Sequence, residues 1–232
     1  MQLQLGEKRN KNYACRKKLY RYQKKLRKEK MTEEEKRIGS NMAYLNGGAI
    51  LVNFIIIALL IGPGTTGYNE TYGVFTDILQ LVAGFSAACL VVVNGKLWDW
   101  ENNFYFGMMT RIVFVIACVQ MLYGVAATAN ANSVFDTTFN ADQVLAMGGA
   151  TQWFQFVGFG IYALTLLSVD NGKLPGWGRS SGYGFVILVL GAQVASLFGL
   201  IPEGLFVPIF VLGGVVLYPI FVFGVGSAIS KS

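Results

Sequence analysis

Six long runs of apolar residues, separated by short polar connections, dominate the chain from residue 43 onward. Crossing a hydrocarbon core of about 30 Å takes about 20 residues of α-helix, because each residue advances the helix by about 1.5 Å. The runs meet this length and are too long for β-strands. They lie at 43–62, 76–95, 109–129, 146–168, 183–201 and 205–229. We therefore predict an all-α, polytopic integral membrane protein with a bundle of six transmembrane helices.

The composition agrees with this prediction. The chain has 232 residues, of which 53% are hydrophobic, and its mean hydropathy is +0.47, which indicates a membrane protein rather than a soluble domain. We predict two parts, a basic cytoplasmic N-terminal tail at 1–41 and the six-helix transmembrane domain at 42–232.

Charge is distributed very unevenly. Residues 1–41 hold fourteen Lys and Arg against five Glu, and the rest of the chain holds five Lys and Arg against eight acidic residues. With six helices, all five of those later bases fall in or beside connections on the same face as the tail. They are Lys96, Arg111, Lys173, Arg179 and Lys231. The positive-inside rule then predicts a multi-pass protein of the plasma membrane with both termini in the cytoplasm.

The tail carries helical patterning. Cys15, Leu19, Tyr22 and Leu26 are spaced by four, three and four positions, which predicts a helix with a narrow apolar stripe. Its basic residues are expected to contact anionic headgroups or an acidic partner protein, and binding to nucleic acid is disfavoured because no recognised module is present. These residues are Arg16, Lys17, Lys18, Arg21, Lys24, Lys25, Arg27 and Lys28.

The end of the tail resembles a helix start. Thr32 followed by three Glu residues has the sequence of a capping box, with acidic groups at the positive end of the helix. The pattern predicts a short helix that begins there and ends near Gly39. Ser40 or Asn41 would then cap the first transmembrane helix.

Uncharged amides are the main polar groups within the apolar runs. Four of them lie near the middle of their segments: Asn53, Gln120, Gln155 and Gln193. A buried amide must find a partner, because an unpaired one in hydrocarbon costs several kcal/mol. The amides therefore predict either hydrogen bonds between helices or an intramembrane polar cavity for a neutral solute or a lipid headgroup.

Pro219 lies in the interior of the sixth run. Proline lacks the N–H that would bond to the carbonyl four residues earlier, and its ring clashes with that carbonyl. We therefore predict a kink at Pro219.

The sequence favours a protein without catalytic activity. It contains no histidine, no recognisable nucleophile motif and no metal-ligand spacing, so neither an enzyme nor a cofactor is expected. The leading hypothesis is an accessory or scaffold subunit of a larger membrane complex, with lipids and other subunits, or further copies of itself, as partners. The alternative is a channel or transporter for a neutral or lipid-like solute.

Overall fold

Helices make up almost all of the described chain, and no strand occurs among the described residues. The structure is a computed structural model, which describes residues 31–62, 71–131 and 141–232. Six helices, α1 to α6, follow one another along these described residues, and the prediction of an all-helical protein is confirmed.

Three of the helices are continuous α-helices: α2 at Gly73–Leu97, α3 at Phe104–Ala131 and α4 at Ala141–Val169. The other three contain π-helical segments. α1 is α-helical at Glu33–Ile56 and π-helical at Ile57–Ile61. α5 consists of Gly176–Val186, a π-helix at Ile187–Gly191 and Ala192–Leu197. α6 consists of Glu203–Phe210, a π-helix at Val211–Leu217 and Tyr218–Ser230.

The helices pack as a closed ring. Each helix packs against the next one in the sequence, and α6 completes the ring against α1. Small residues allow close approach: a Cβ placed on Gly84 of α2 would lie 2.8 Å from the carbonyl oxygen of Ala117 in α3. A Cβ placed on Gly224 of α6 would lie 2.7 Å from the Cα of Gly178 in α5. Such contacts maximise van der Waals packing, which drives helix association in lipid.

The outer surface of the ring is apolar. Leu59, Leu122 and Ile187 are 76%, 69% and 66% exposed, respectively, whereas soluble monomers rarely expose large apolar patches. Within the described residues, four helical segments are long and apolar enough to cross a membrane, and Gln155–Val169 is a shorter apolar helix. The four are Glu33–Ile61, Gly73–Leu97, Phe104–Val125 and Pro208–Ser230. These helices identify a membrane protein.

The first helix differs from the prediction at its N-terminal end. It begins at Glu33, directly after the capping-box threonine, but it continues without a break to Ile61. The predicted stop near Gly39 and the predicted cap at Ser40 or Asn41 are therefore wrong. Gly39 serves close packing instead, since a Cβ there would lie 2.5 Å from Cγ1 of Val93.

The π-helical segment in α6 lies directly before the proline that was predicted to kink the helix. Val211–Leu217 is π-helical, and Pro219 is among the first residues of the α-helix that starts at Tyr218. Pro219 thus lies where the hydrogen-bond register changes from π-helical to α-helical. Proline is tolerated at the first turn of a helix, because the N–H groups there have no partner within the helix. The register change accommodates Pro219, and the kink itself stays a prediction.

One end of the ring collects basic connections. Lys96 at the end of α2 forms an ion pair with Glu35 in the first turn of α1. Lys173, between α4 and α5, donates a hydrogen bond to the carbonyl oxygen of Leu97. The last turn of α6 packs near Gly39 of α1. These contacts bring both ends of the described chain and two basic connections together.

The connection between α4 and α5 is organised around the buried carboxylate of Asp170, which is 2% exposed. It accepts hydrogen bonds from Nε of Arg179 at 3.0 Å and from the backbone N–H of Leu174 at 2.8 Å. Asn171 and Gly172 have positive φ angles of 48° and 82°, a conformation that asparagine and glycine tolerate best. The turn that starts α5 is thus held by one carboxylate.

Candidate functional site

A cavity of about 190 Å³ lies inside the ring, and every one of the six helices contributes to its wall. One face of α1 forms a regular part of it. On α1 the lining residues Asn46, Ile50, Asn53 and Ile57 follow each other by four, three and four positions. This spacing puts them on one helical face.

Three of the four predicted cavity amides line this space. Asn53 of α1, Gln120 of α3 and Gln155 of α4 belong to the wall, and Gln193 of α5 does not. The residue by which α5 reaches the cavity is Phe185, which precedes Gln193 by about 12 Å along a helix axis. The shift arises because α5 begins at Gly176, seven residues before the predicted start, so that the predicted midpoint is misplaced.

A hydrogen-bonded cluster closes one side of the cavity. Nδ2 of Asn46 donates to the carbonyl oxygen of Ala83 at 2.8 Å and to Oγ of Ser86 at 3.3 Å. Oδ1 of Asn46 accepts a hydrogen bond from the hydroxyl of Tyr218 at 3.1 Å. Asn46 is 1% exposed and joins α1, α2 and α6. Its donors and its acceptor are all used, so its role is to hold the three helices together.

Two further amides meet on another side. Nε2 of Gln120 donates to Oε1 of Gln80 at 2.8 Å, which links α3 to α2. By contrast, Oδ1 of Asn53 is buried and has no hydrogen-bond partner. A buried acceptor without a partner costs about 1–3 kcal/mol. Asn53 therefore lines the cavity and carries an acceptor whose hydrogen bond is not satisfied.

Aromatic rings form most of the remaining wall. Phe156 of α4 and Phe210 of α6 meet edge to face with their ring centroids 4.4 Å apart. The rings of Phe185 and Tyr218 are 5.0 Å apart. The phenylalanines of the lining are Phe54, Phe156, Phe159, Phe185 and Phe210. The cavity thus combines apolar aromatic walls with a few amides.

A second, much smaller cavity shares Phe159 and Tyr218 with the first and has a volume of about 20 Å³. Nδ2 of Asn94 donates to the hydroxyl of Tyr162 at 3.1 Å, and Oδ1 of Asn94 is buried without a partner. A space of this size accommodates one water molecule. The ring of Tyr218 therefore lies between the main cavity and a small polar pocket.

The charged residues of the described chain lie elsewhere. Among the described residues, the cavity lining contains no Asp, Glu, Lys or Arg. No group of three or more His, Cys, Asp or Glu in the same part of the chain could hold a metal ion. At the basic end, surrounding protein atoms desolvate the Lys173 amine and lower its pKa, and the charges of Asp170 and Asp99 oppose this effect. The predicted tail contacts lie outside the described residues.

Several lining residues were not predicted. Asn46 and Gln80 are also intramembrane amides, and Tyr218 supplies a hydroxyl. The seven-residue separation of Asn46 and Asn53, about two helical turns, is a signal that could have placed both on one face. No sequence pattern identifies the phenylalanines of the wall, because phenylalanine is equally common on surfaces that face lipid.

Comparison with known protein families, with curated proteins and with solved structures finds no match to this chain. Its class therefore rests on its own architecture. It is an all-helical membrane protein, and its described residues form a ring of six helices around a cavity lined by amides and aromatic rings.

Proposed function

We propose that this protein is a channel or transporter with six membrane spans, which takes a small neutral or lipid-like molecule into its central cavity. One observation carries the proposal: all six helices converge on a solute-sized space whose wall includes the amides of Asn53, Gln120 and Gln155. Binding sites of transporters lie near the bilayer midplane, between helices that are interrupted or irregular. The π-helical segments of α1 and α6 contribute Ile57 and Gly214 to the wall.

The solute is neutral in this proposal. An ion without a counter-charge pays a large desolvation penalty in a low-dielectric site, and the described part of the lining offers no acid or base. For the same reason we do not propose coupling to protons or sodium through the cavity.

The membrane arrangement belongs to the same proposal. Six spans place both termini on one side, and the basic end of the ring then faces the cytoplasm, as the positive-inside rule requires. The plasma membrane is the proposed location. The basic tail, predicted at residues 1–41, would contact anionic headgroups or an acidic protein on that side.

Access to the cavity is tested by a matched pair of cysteines on α1. Ala49 lines the cavity, whereas Ala43 is 0% exposed and lies outside the lining. In a cysteine-free background, we expect methyl methanethiosulfonate, a small neutral reagent, to modify Ala49→Cys and to leave Ala43→Cys unmodified. Mass spectrometry measures the extent of modification. Equal protection of both cysteines would contradict the proposal of solute access.

Passage across the membrane is tested in proteoliposomes. We expect faster entry of a small neutral solute with an apolar part, such as 1,2-butanediol, than into empty liposomes, measured by stopped-flow light scattering. Modification of Ala49→Cys should block this entry, and modification of Val52→Cys should not, because Val52 is 47% exposed on the outer surface. Entry at the rate of empty liposomes for every solute would count against a channel.

The hypothesis of an accessory or scaffold subunit stays a prediction. The apolar outer surface of the described helices suits lipid and a neighbouring membrane subunit equally well, so it favours neither.

A further inference from the structure

The central cavity has features that restrict the molecule it accepts. The inference below rests on the proposed function and concerns the chemical class of the ligand. Three properties of the wall carry it: its size, its aromatic surface and the amides of Asn53 and Gln155.

Size gives the first restriction. The cavity measures about 190 Å³, whereas pockets for drug-sized ligands measure about 300–1,000 Å³. An engineered protein cavity of about 150 Å³ binds benzene. A molecule of single-ring size therefore fills this space, and a phospholipid headgroup with its glycerol does not fit.

The wall gives the second restriction. Phe54, Phe159 and Phe185 line the space together with Ile50 and Val215. Aromatic side chains pack favourably edge to face or offset against another ring. A ligand that fills this region needs an apolar body, because a fully polar solute would lose its water without regaining hydrogen bonds.

Two lining amides give the third restriction. Asn53 and Gln155 both line the cavity, and neither side chain forms a hydrogen bond among the described residues. By contrast, the acceptor of Asn46 already receives the hydroxyl of Tyr218, and that of Gln80 already receives Gln120. The two amides without partners favour a ligand that carries its own hydroxyl or N–H.

We infer that the cavity binds a neutral, amphiphilic molecule of single-ring size whose hydroxyl or N–H forms a hydrogen bond with the amide of Asn53 or Gln155. The apolar body of the ligand lies against the phenylalanines. The molecule enters without charge, because neither an ammonium nor a carboxylate finds a counter-charge among the described residues of the wall.

Three probes with equal numbers of non-hydrogen atoms test this inference: benzyl alcohol, ethylbenzene and benzylamine. Benzyl alcohol has a donor, ethylbenzene has none, and benzylamine is cationic at neutral pH. Such molecules cross lipid unaided, so binding is measured instead of flux. The full-length protein is placed in nanodiscs, and the rise of the unfolding temperature is followed at matched membrane concentrations of each probe.

We expect benzyl alcohol to bind roughly three- to tenfold more tightly than ethylbenzene, as one net hydrogen bond requires. Benzylamine should produce no shift at neutral pH. The near-isosteric double substitution Asn53→Leu/Gln155→Leu should equalise benzyl alcohol and ethylbenzene while ethylbenzene still binds. Gln193→Leu, which removes a buried amide outside the lining, should preserve the preference and so serves as the control.

Other outcomes overturn the inference. Equal binding of benzyl alcohol and ethylbenzene to the unsubstituted protein would show that the cavity accepts plain hydrocarbon, such as the end of an acyl chain. A preference that survives in the double variant would show that a group other than these two amides binds the hydroxyl. Either result contradicts the ligand class and leaves cavity access intact, whereas an unreactive cysteine at position 49 contradicts the proposed function itself.

Discussion

The hydrogen bond between Tyr218 and Asn46 gives a direct test of the packing around the cavity. Asn46 makes three hydrogen bonds, one to the backbone of Ala83, one to Ser86 and one from Tyr218. Hydrogen bonds between membrane helices contribute about 0.6 kcal/mol on average and at most about 1.7 kcal/mol. Asn46→Leu should therefore lower the free energy of unfolding by about 2 kcal/mol, and Tyr218→Phe by about 0.6–1.7 kcal/mol.

A double-mutant cycle isolates the bond that the two residues share. If both changes remove the same hydrogen bond, the double variant Asn46→Leu/Tyr218→Phe loses less than the sum of the single losses, by about 0.6–1.7 kcal/mol. The measurement is reversible unfolding in mixed micelles, with dodecyl sulfate as the denaturant. The coupling should appear equally when circular dichroism and intrinsic fluorescence follow the transition.

The control pairs Asn46→Leu with Thr110→Val. Thr110 is buried on α3 and bonds to the carbonyl oxygen of Phe106 in its own helix, so the two changes share no partner. Their losses should add to within about 0.5 kcal/mol. If the stability losses of Asn46→Leu and Tyr218→Phe add as fully as those of the control pair, the hydrogen bond between α1 and α6 is refuted.

Three further predictions concern packing, the α4–α5 turn and topology. Gly84→Ala should lower the free energy of unfolding by about 1–3 kcal/mol, because its Cβ would lie 2.8 Å from a carbonyl oxygen of the neighbouring helix. In the control, Gly48→Ala, the added Cβ meets nothing within 4 Å, so the change should be neutral or stabilising by up to about 1 kcal/mol. Equal losses of stability in the two variants would contradict the close helix contact at Gly84. Asp170→Asn should cost about 1–3 kcal/mol in the same unfolding assay, because charge-assisted hydrogen bonds are lost, and an unchanged stability would show that the carboxylate does not organise the turn. Topology is tested in intact cells, in a cysteine-free background, with a membrane-impermeant maleimide. The reagent should label Leu200→Cys, in the turn between α5 and α6, and should label Lys231→Cys only after the membrane is permeabilised. The reverse pattern would exclude cytoplasmic termini.

The sequence alone determined that the chain is helical and belongs in a membrane. Hydrocarbon offers the backbone no hydrogen bonds, so a long apolar run must satisfy its own N–H and C=O groups as a helix. Length and composition therefore suffice, and the structure confirms helices in all six predicted regions, four of them long and apolar enough to span within the described residues. The start of α1 at Glu33 was equally predictable, because a capping-box sequence acts locally.

Helix ends and irregularities were predicted less well, because tertiary contacts determine them. Gly39 suggested a helix end in the sequence but lies inside α1, where Val93 packs against it. The π-helical segments were not predicted at all. Their extra residue per turn depends on how α5 and α6 pack against their neighbours, although Pro219 marked the affected region of α6.

The grouping of the amides was decided by the tertiary structure. Asn53, Gln120 and Gln155 meet at one cavity, Gln120 is paired with Gln80, and Gln193 lies apart from them. A helix in water reveals its inner face by the alternation of polar and apolar positions, but lipid is as apolar as the interior of the ring, so both faces carry the same residues. The rotation of each helix about its axis, and with it the site, therefore follows only from how the helices pack.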